Sequence, residues 1–145
     1  MRLPVVFIMI TVTIDAMGIG LILPVMPDLI AEVRGVSVTD AALWGGVLAA
    51  AYAIMQFCFS PVIGSLSDRF GRRPILLVSM AVLALDYVVM ALAGSIWLLL
   101  AVRLVAGVAA ATHATALAFM ADITEPGKRA QNFGLISAGF GMGFI

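Results

Sequence analysis

Long apolar stretches alternate with short polar ones along the whole chain. The first runs from about Leu3 to Val25, carries one charge at Asp15, and is closed by Pro24 and Pro27. The second runs from about Ala41 to Ile63, the third from Ile75 to Ala93 with Asp86 inside it, and the fourth from Ile96 to Met120 with Arg103 inside it. Each reaches the roughly 18–20 residues that cross a hydrocarbon core as a helix. Helix is the form that satisfies an isolated span's backbone internally. Between them, 28–40 reads as a polar loop, 64–74 as a short basic loop, Gly94-Ser95 as a tight turn and 121–132 as a second polar loop. A fifth apolar run starts near Phe133 and is still going at Ile145, about 13 residues and too short to span. The pattern predicts an all-α membrane protein with four complete transmembrane helices and the start of a fifth. We expect residues 1–145 to be an N-terminal piece of a longer chain.

Composition supports this and narrows the function. Of 145 residues, 63% are hydrophobic and 11% charged; a soluble domain of this size needs far more polar surface. Net charge is zero, so no nucleic-acid partner is implied. The apolar run after Arg2 is too long for a signal-peptide core, and further spans follow it. The lone Cys58 sits in an apolar run and suits packing. The lone His113 has no second soft or imidazole ligand near it, so no metal site is expected. No nucleophile elbow or zincin motif occurs, and an enzyme is not expected.

Orientation follows from the basic residues. Arg2, Arg69, Arg72, Arg73, Lys128 and Arg129 fall on one side of the predicted spans and only Arg34 on the other. The basic side, with the N-terminus, is expected to be cytoplasmic.

Three ionisable residues lie within spans, where each costs at least ~2.5–3.5 kcal/mol on insertion scales. Asp86 is seven residues before Ala93, and Arg103 seven residues after Ile96. At ~1.5 Å per residue both lie about 10 Å below the outer boundary on adjacent antiparallel helices. A buried ion pair is available to them. Asp15 has no evident partner. Burial disfavours the charged form of a lone carboxyl, so Asp15 is the candidate for proton coupling.

Tyr52, Gln56 and Ser60 recur every fourth residue on one stripe of the second helix, extended by Gly45 and Ala49. The stripe reads equally as interhelical hydrogen bonding or as a polar wall on a cavity; in the second case Gln56 is the best candidate for ligand contact. Thr11 lies one turn before Asp15. Gly139, Gly141 and Gly143, in an apolar run with no strand before them, read as close helix packing.

The segment Gly64-Ser-Leu-Ser-Asp68-Arg69-Phe-Gly71-Arg72-Arg73-Pro74 is the most specific signal. Asp68 can pair with guanidinium groups or cap a helix, and Gly71 permits a tight turn. The segment resembles the signature between helices two and three of the major facilitator superfamily. Arg103-Leu-Val-Ala-Gly107 resembles that family's fourth-helix pattern. Asp15 to Pro24, Ser67 to Leu77, Asp86-Tyr87 and Ala121 to Thr124 are similar to bacterial tetracycline/proton antiporters.

The resemblance implies a twelve-helix transporter of the bacterial inner membrane. This chain would be an incomplete N-terminal six-helix half of it, needing the remainder of the protein as partner. It implies export of tetracycline, as a complex with a divalent metal such as magnesium, in exchange for a proton, with no cofactor. By position it makes Asp15, Asp86 and Arg103 the intramembrane charges. Gln56, with Tyr52 and Thr11, would be substrate-side, and Gly64, Asp68, Arg69, Gly71, Arg72 and Arg73 a gating loop. The alternative is a multidrug exporter, or a transporter of another small molecule in the same superfamily.

Overall fold

A computed structural model describes residues 3–110 and 112–144; Arg2, counted above for orientation, and Ile145, the last residue of the fifth run, lie outside the described residues. The helices are α1 (Leu3–Arg34), α2 (Val38–Phe70), α3 (Arg72–Ala91), α4 (Ile96–Ala109), α5 (Thr112–Ile123) and α6 (Arg129–Gly143). A 3-10 turn at Pro126–Lys128 joins the last two. No strand occurs among the described residues. Four stretches are long and apolar enough to cross a membrane: α1, α2, α3, and Ile96–Ile123, which takes in α4 and α5.

The helices depart from the apolar runs in four places; one is the expected loop 121–132, where α5 runs on to Ile123 and α6 starts at Arg129, so that only 124–128 connect them. α1 passes through Pro24 and Pro27 and ends at Arg34, so 28–34 is helix, not loop. A proline removes one intrahelical bond but leaves the chain on either side free to remain helical. Here Met26, Ile30 and Val33 recur at helical spacing and pack into an apolar cluster with Leu48, Met90 and Leu99, which holds the extension in place.

The expected loop 64–74 is likewise almost all helix. α2 runs to Phe70, α3 starts at Arg72, and Gly71 alone separates them at φ +96°, ψ 149°. That conformation is essentially restricted to glycine. The polar residues mark where the helices leave the membrane, not where they stop.

The third departure is inside the fourth span, where α4 ends at Ala109 and the Ala110 N–H closes a tightened turn onto the Gly107 carbonyl.

Two apolar clusters form the core. One lies toward the basic end and contains Ile8, Val12, Leu76, Met120 and Ile136. The other lies toward the opposite end and contains Ile30, Leu48, Met90, Ile96 and Leu99. Small residues set the closest crossings, as expected where lipid gives no hydrophobic drive for helix association. A Cβ at Gly107 would stand 2.6 Å from the Tyr52 carbonyl oxygen and 2.8 Å from Met55 Cβ, which brings α4 onto the α2 backbone. A Cβ at Gly143 would stand 2.7 Å from Ala16 Cβ, and one at Gly139 would stand 3.0 Å from Thr13 Oγ1, which seats α6 on α1. Gly141 faces open space and takes no part in that packing.

At the end away from the basic residues Trp44 and Trp97 meet edge to face at 6.3 Å, and the Arg34 guanidinium lies 4.5 Å from the Trp44 ring centre. Ser95 accepts from the Trp97 N–H at 3.3 Å and starts α4 immediately after the turn at Gly94.

Candidate transport site

α3 and α4 bring Asp86 and Arg103 together. Arg103 Nη2 donates to Asp86 Oδ2, and the two side chains are 9% and 1% exposed respectively. The same nitrogen lies 2.9 Å from Met90 Sδ, and the guanidinium carbon is 5.5 Å from the centre of the Tyr52 ring. Asp86 Oδ1 and Arg103 Nε have no hydrogen-bond partner among the described residues. A buried pair of this kind loses solvation at both ends and regains it only through mutual attraction.

Arg103 and Tyr52 both face a cavity of about 380 Å³ between α1, α2, α3 and α4. Its walls are largely apolar: Ile22, Leu23 and Met26 from α1, Ala49 from α2, and Leu83 with Tyr87 from α3. The cavity offers aromatic faces, aliphatic surface and one guanidinium, a lining suited to a flat amphipathic molecule.

Asp15 is half-buried and belongs to a separate small pocket of about 100 Å³ with Met80, Leu83, Ala84 and Tyr87. Leu83 and Tyr87 are common to both spaces and form the partition between them. The partition is possible because α1 has glycine at 18: a Cβ there would collide with the Tyr87 ring, 2.8 Å from Cε2. Asp15 makes no ion pair among the described residues.

The other sequence candidates divide. Tyr52 lines the cavity. Gln56 turns to the fourth span, and Nε2 donates to the Ala110 carbonyl at 2.7 Å. Ser60 donates to the Gln56 carbonyl at 2.6 Å. Thr11 is buried, and its hydroxyl donates to the Phe7 carbonyl of its own helix at 2.9 Å. His113 is exposed and meets Phe140 edge to face at 5.2 Å.

At the basic end Arg72 gathers three partners. Nη2 pairs with Asp68, Nη1 donates to Ser67 Oγ at 2.6 Å, and Nε lies 3.0 Å from Asp122 Oδ2 on α5. Ser67 is buried and donates in turn to the Gly64 carbonyl at 2.7 Å. Arg69 stands over Phe70 and Arg73 over Phe7, each 5.5 Å from the ring centre. Sequence reasoning placed no role on Asp122 or Ser67. Asp122 is separated from Arg72 by fifty residues, and in the sequence it stood out only as part of the segment Ala121 to Thr124, with nothing to pair it with Arg72.

Residues 8–145 match the sequence profile of the Major Facilitator Superfamily. The chain belongs to that superfamily. Among curated members it is 51% identical over 135 residues to the class C tetracycline resistance protein of Escherichia coli, covering 93% of this chain and 34% of that one. It is 43% identical over 145 residues to the class D tetracycline resistance protein of Salmonella ordonez, covering 100% of this chain and 36% of that one. The crystal structure of the human organic anion transporter TETRAN, at 28% identity, superposes with a TM-score of 0.80 over 97% of this chain and 38% of that one. The chain spans about a third of the length of the curated superfamily members it matches. With its apolar helices, this superfamily membership makes it a multi-pass membrane protein.

Proposed function

We propose that the protein is a drug/proton antiporter of the bacterial cytoplasmic membrane, N-terminus inside, exporting tetracycline as a divalent-metal complex in exchange for a proton. The observation that carries the reading is Asp15, a carboxylate at membrane depth with no cation against it among the described residues. One wall of side chains separates it from an amphipathic cavity. Ionisable groups at such depth are costly and mark ion or proton pathways.

In this reading the drug occupies the cavity and stacks on Tyr52. Arg103, held by Asp86, presents a fixed positive charge to it. Asp15 carries the proton behind the Leu83–Tyr87 partition. Protonation of Asp15 changes its interaction with the two access states and shifts their populations. Gly64, Asp68, Arg69, Gly71, Arg72 and Arg73 form the cytoplasmic gate, with Arg72 clamping α2, α3 and α5. The clustering of Arg69, Arg72, Arg73, Lys128 and Arg129 at one end of the helices supports an inside location for that end.

The likeness to tetracycline resistance proteins supports the choice of drug. The test is uptake of tetracycline with magnesium into everted membrane vesicles containing the whole protein, driven by an imposed pH gradient. Uptake that survives collapse of the gradient would refute proton coupling.

A second reading, a transporter of another small molecule, draws on the likeness to a human organic anion transporter and on the guanidinium in the cavity wall. Growth of producing cells against a panel of drugs and organic anions separates the two.

A further inference from the structure

Of the two side chains that stand between Asp15 and the cavity, one has an oxygen. Leu83 and Tyr87 line both spaces. Leu83 is a hydrocarbon and carries no proton. Tyr87 ends in a hydroxyl, which gives one hydrogen and accepts another at the same atom. Among the residues lining the small pocket, Asp15 and Tyr87 alone bring side-chain oxygens.

The backbone of α1 fixes where that hydroxyl sits. Gly18 follows Asp15 by three residues and so shares its face of the helix. A Cβ at Gly18 would run into the Tyr87 hydroxyl oxygen and stand 2.9 Å from Cζ. The tip of the ring therefore lies against α1, one turn from the Asp15 carboxyl. Neither the Asp15 carboxyl nor the Tyr87 hydroxyl makes a hydrogen bond among the described residues. The pocket they share, about 100 Å³, has room for a bridging water, and the two groups give that water polar partners.

The other ionisable groups close by offer no such link. Tyr52 and Arg103 line the cavity and not the pocket. Asp86 lines neither and is paired with Arg103.

We propose that Tyr87 is the proton relay between Asp15 and the cavity. The role rests on the reading of Asp15 as the residue that carries the proton. The Asp15 carboxyl gives its proton to Tyr87 Oη, through the bridging water, as the Tyr87 O–H bond gives its own to an acceptor on the cavity side, a water or an oxygen of the drug. Asp15 is left as a carboxylate, the cavity acceptor gains one proton, and Tyr87 is neutral before and after. The reverse transfer reloads Asp15. Drug and proton thus meet at one side chain without sharing a site.

The test follows the ionisation of Asp15 in the whole protein in lipid nanodiscs after a pH jump, by the infrared carboxyl band that Asp15→Asn removes. Tyr87→Phe keeps the ring, and with it the wall, and takes away only the hydroxyl. It should slow loss and uptake of the proton by the same factor, about 10²-fold, the low end of what positioned proton transfer contributes. Equal slowing leaves the midpoint pH of Asp15 where it was, which a repacked pocket would not. Gly18→Ala pushes the ring off α1 and should also slow both directions. A Tyr87→Phe rate equal to or faster than wild type, or slowing in one direction only, overturns the relay. A carboxyl band unchanged in Asp15→Asn means that Asp15 binds no proton, and overturns relay and antiport together. Ionisation needs no drug, so a wild type that takes up no tetracycline refutes the transport reading while the Tyr87→Phe rate still decides the relay.

Discussion

Arg72 Nε lies 3.0 Å from Asp122 Oδ2, an ion pair between the first residue of α3 and the last turn of α5. With Asp68 and Ser67 on its other nitrogens, Arg72 ties three helix ends at one point. A planar guanidinium can hold three acceptors in fixed directions, and an ammonium cannot. Arg72→Lys and Asp122→Asn should therefore each lower the initial rate of vesicle uptake several-fold, with equilibrium drug binding retained. Binding and rate falling together would place the defect in the cavity. Asp68 and Asp122 are 63% and 55% exposed, so raised ionic strength should reduce the difference between wild type and variants.

Asp15→Asn keeps the size and polarity of the side chain and removes its proton exchange. It should abolish gradient-driven uptake and leave drug binding in place, measured by equilibrium binding to purified protein. Undiminished uptake would remove Asp15 from the coupling mechanism.

Asp86 and Arg103 are expected to be worth most as a pair. Removing one partner leaves a buried charge uncompensated, at a cost of about 3–5 kcal/mol. Asp86→Ala alone should thus lower the thermal unfolding temperature in detergent more than Asp86→Ala combined with Arg103→Leu. The reverse order would show that the two residues are energetically independent.

Gly107→Leu puts a side chain where the Tyr52 carbonyl already stands. Overpacking of this kind typically costs about 1–3 kcal/mol, read as a lower unfolding temperature. Gly141→Ala faces open space and serves as the matched neutral substitution.

The positions of the spans were legible because hydrocarbon thickness imposes a length that hydropathy reports directly. Their ends were less so. At Arg34 and Phe70 the helices continue into polar sequence, because polarity reports the edge of the membrane and not backbone geometry. Asp86 and Arg103 could be matched in depth by counting residues, but whether they faced each other depends on how α3 and α4 are rotated. The tightened turn at Ala110 left no trace in the pattern: alanine favours helix, and the amide that binds the Ala110 carbonyl, that of Gln56, lies on another helix. For the same reason the stripe of Tyr52, Gln56 and Ser60 was read as one surface. The structure divides it, with Tyr52 on the cavity and Gln56 on the backbone of the neighbouring span.

That division gives the lone thiol of this chain a practical use. Cys58 is exposed on α2, two positions beyond Gln56. A spin label or fluorophore attached there would ride on α2, the helix that carries both Tyr52 and Gln56. It would report on its surroundings in wild type and in Gln56→Leu, with no cysteine introduced into the helix.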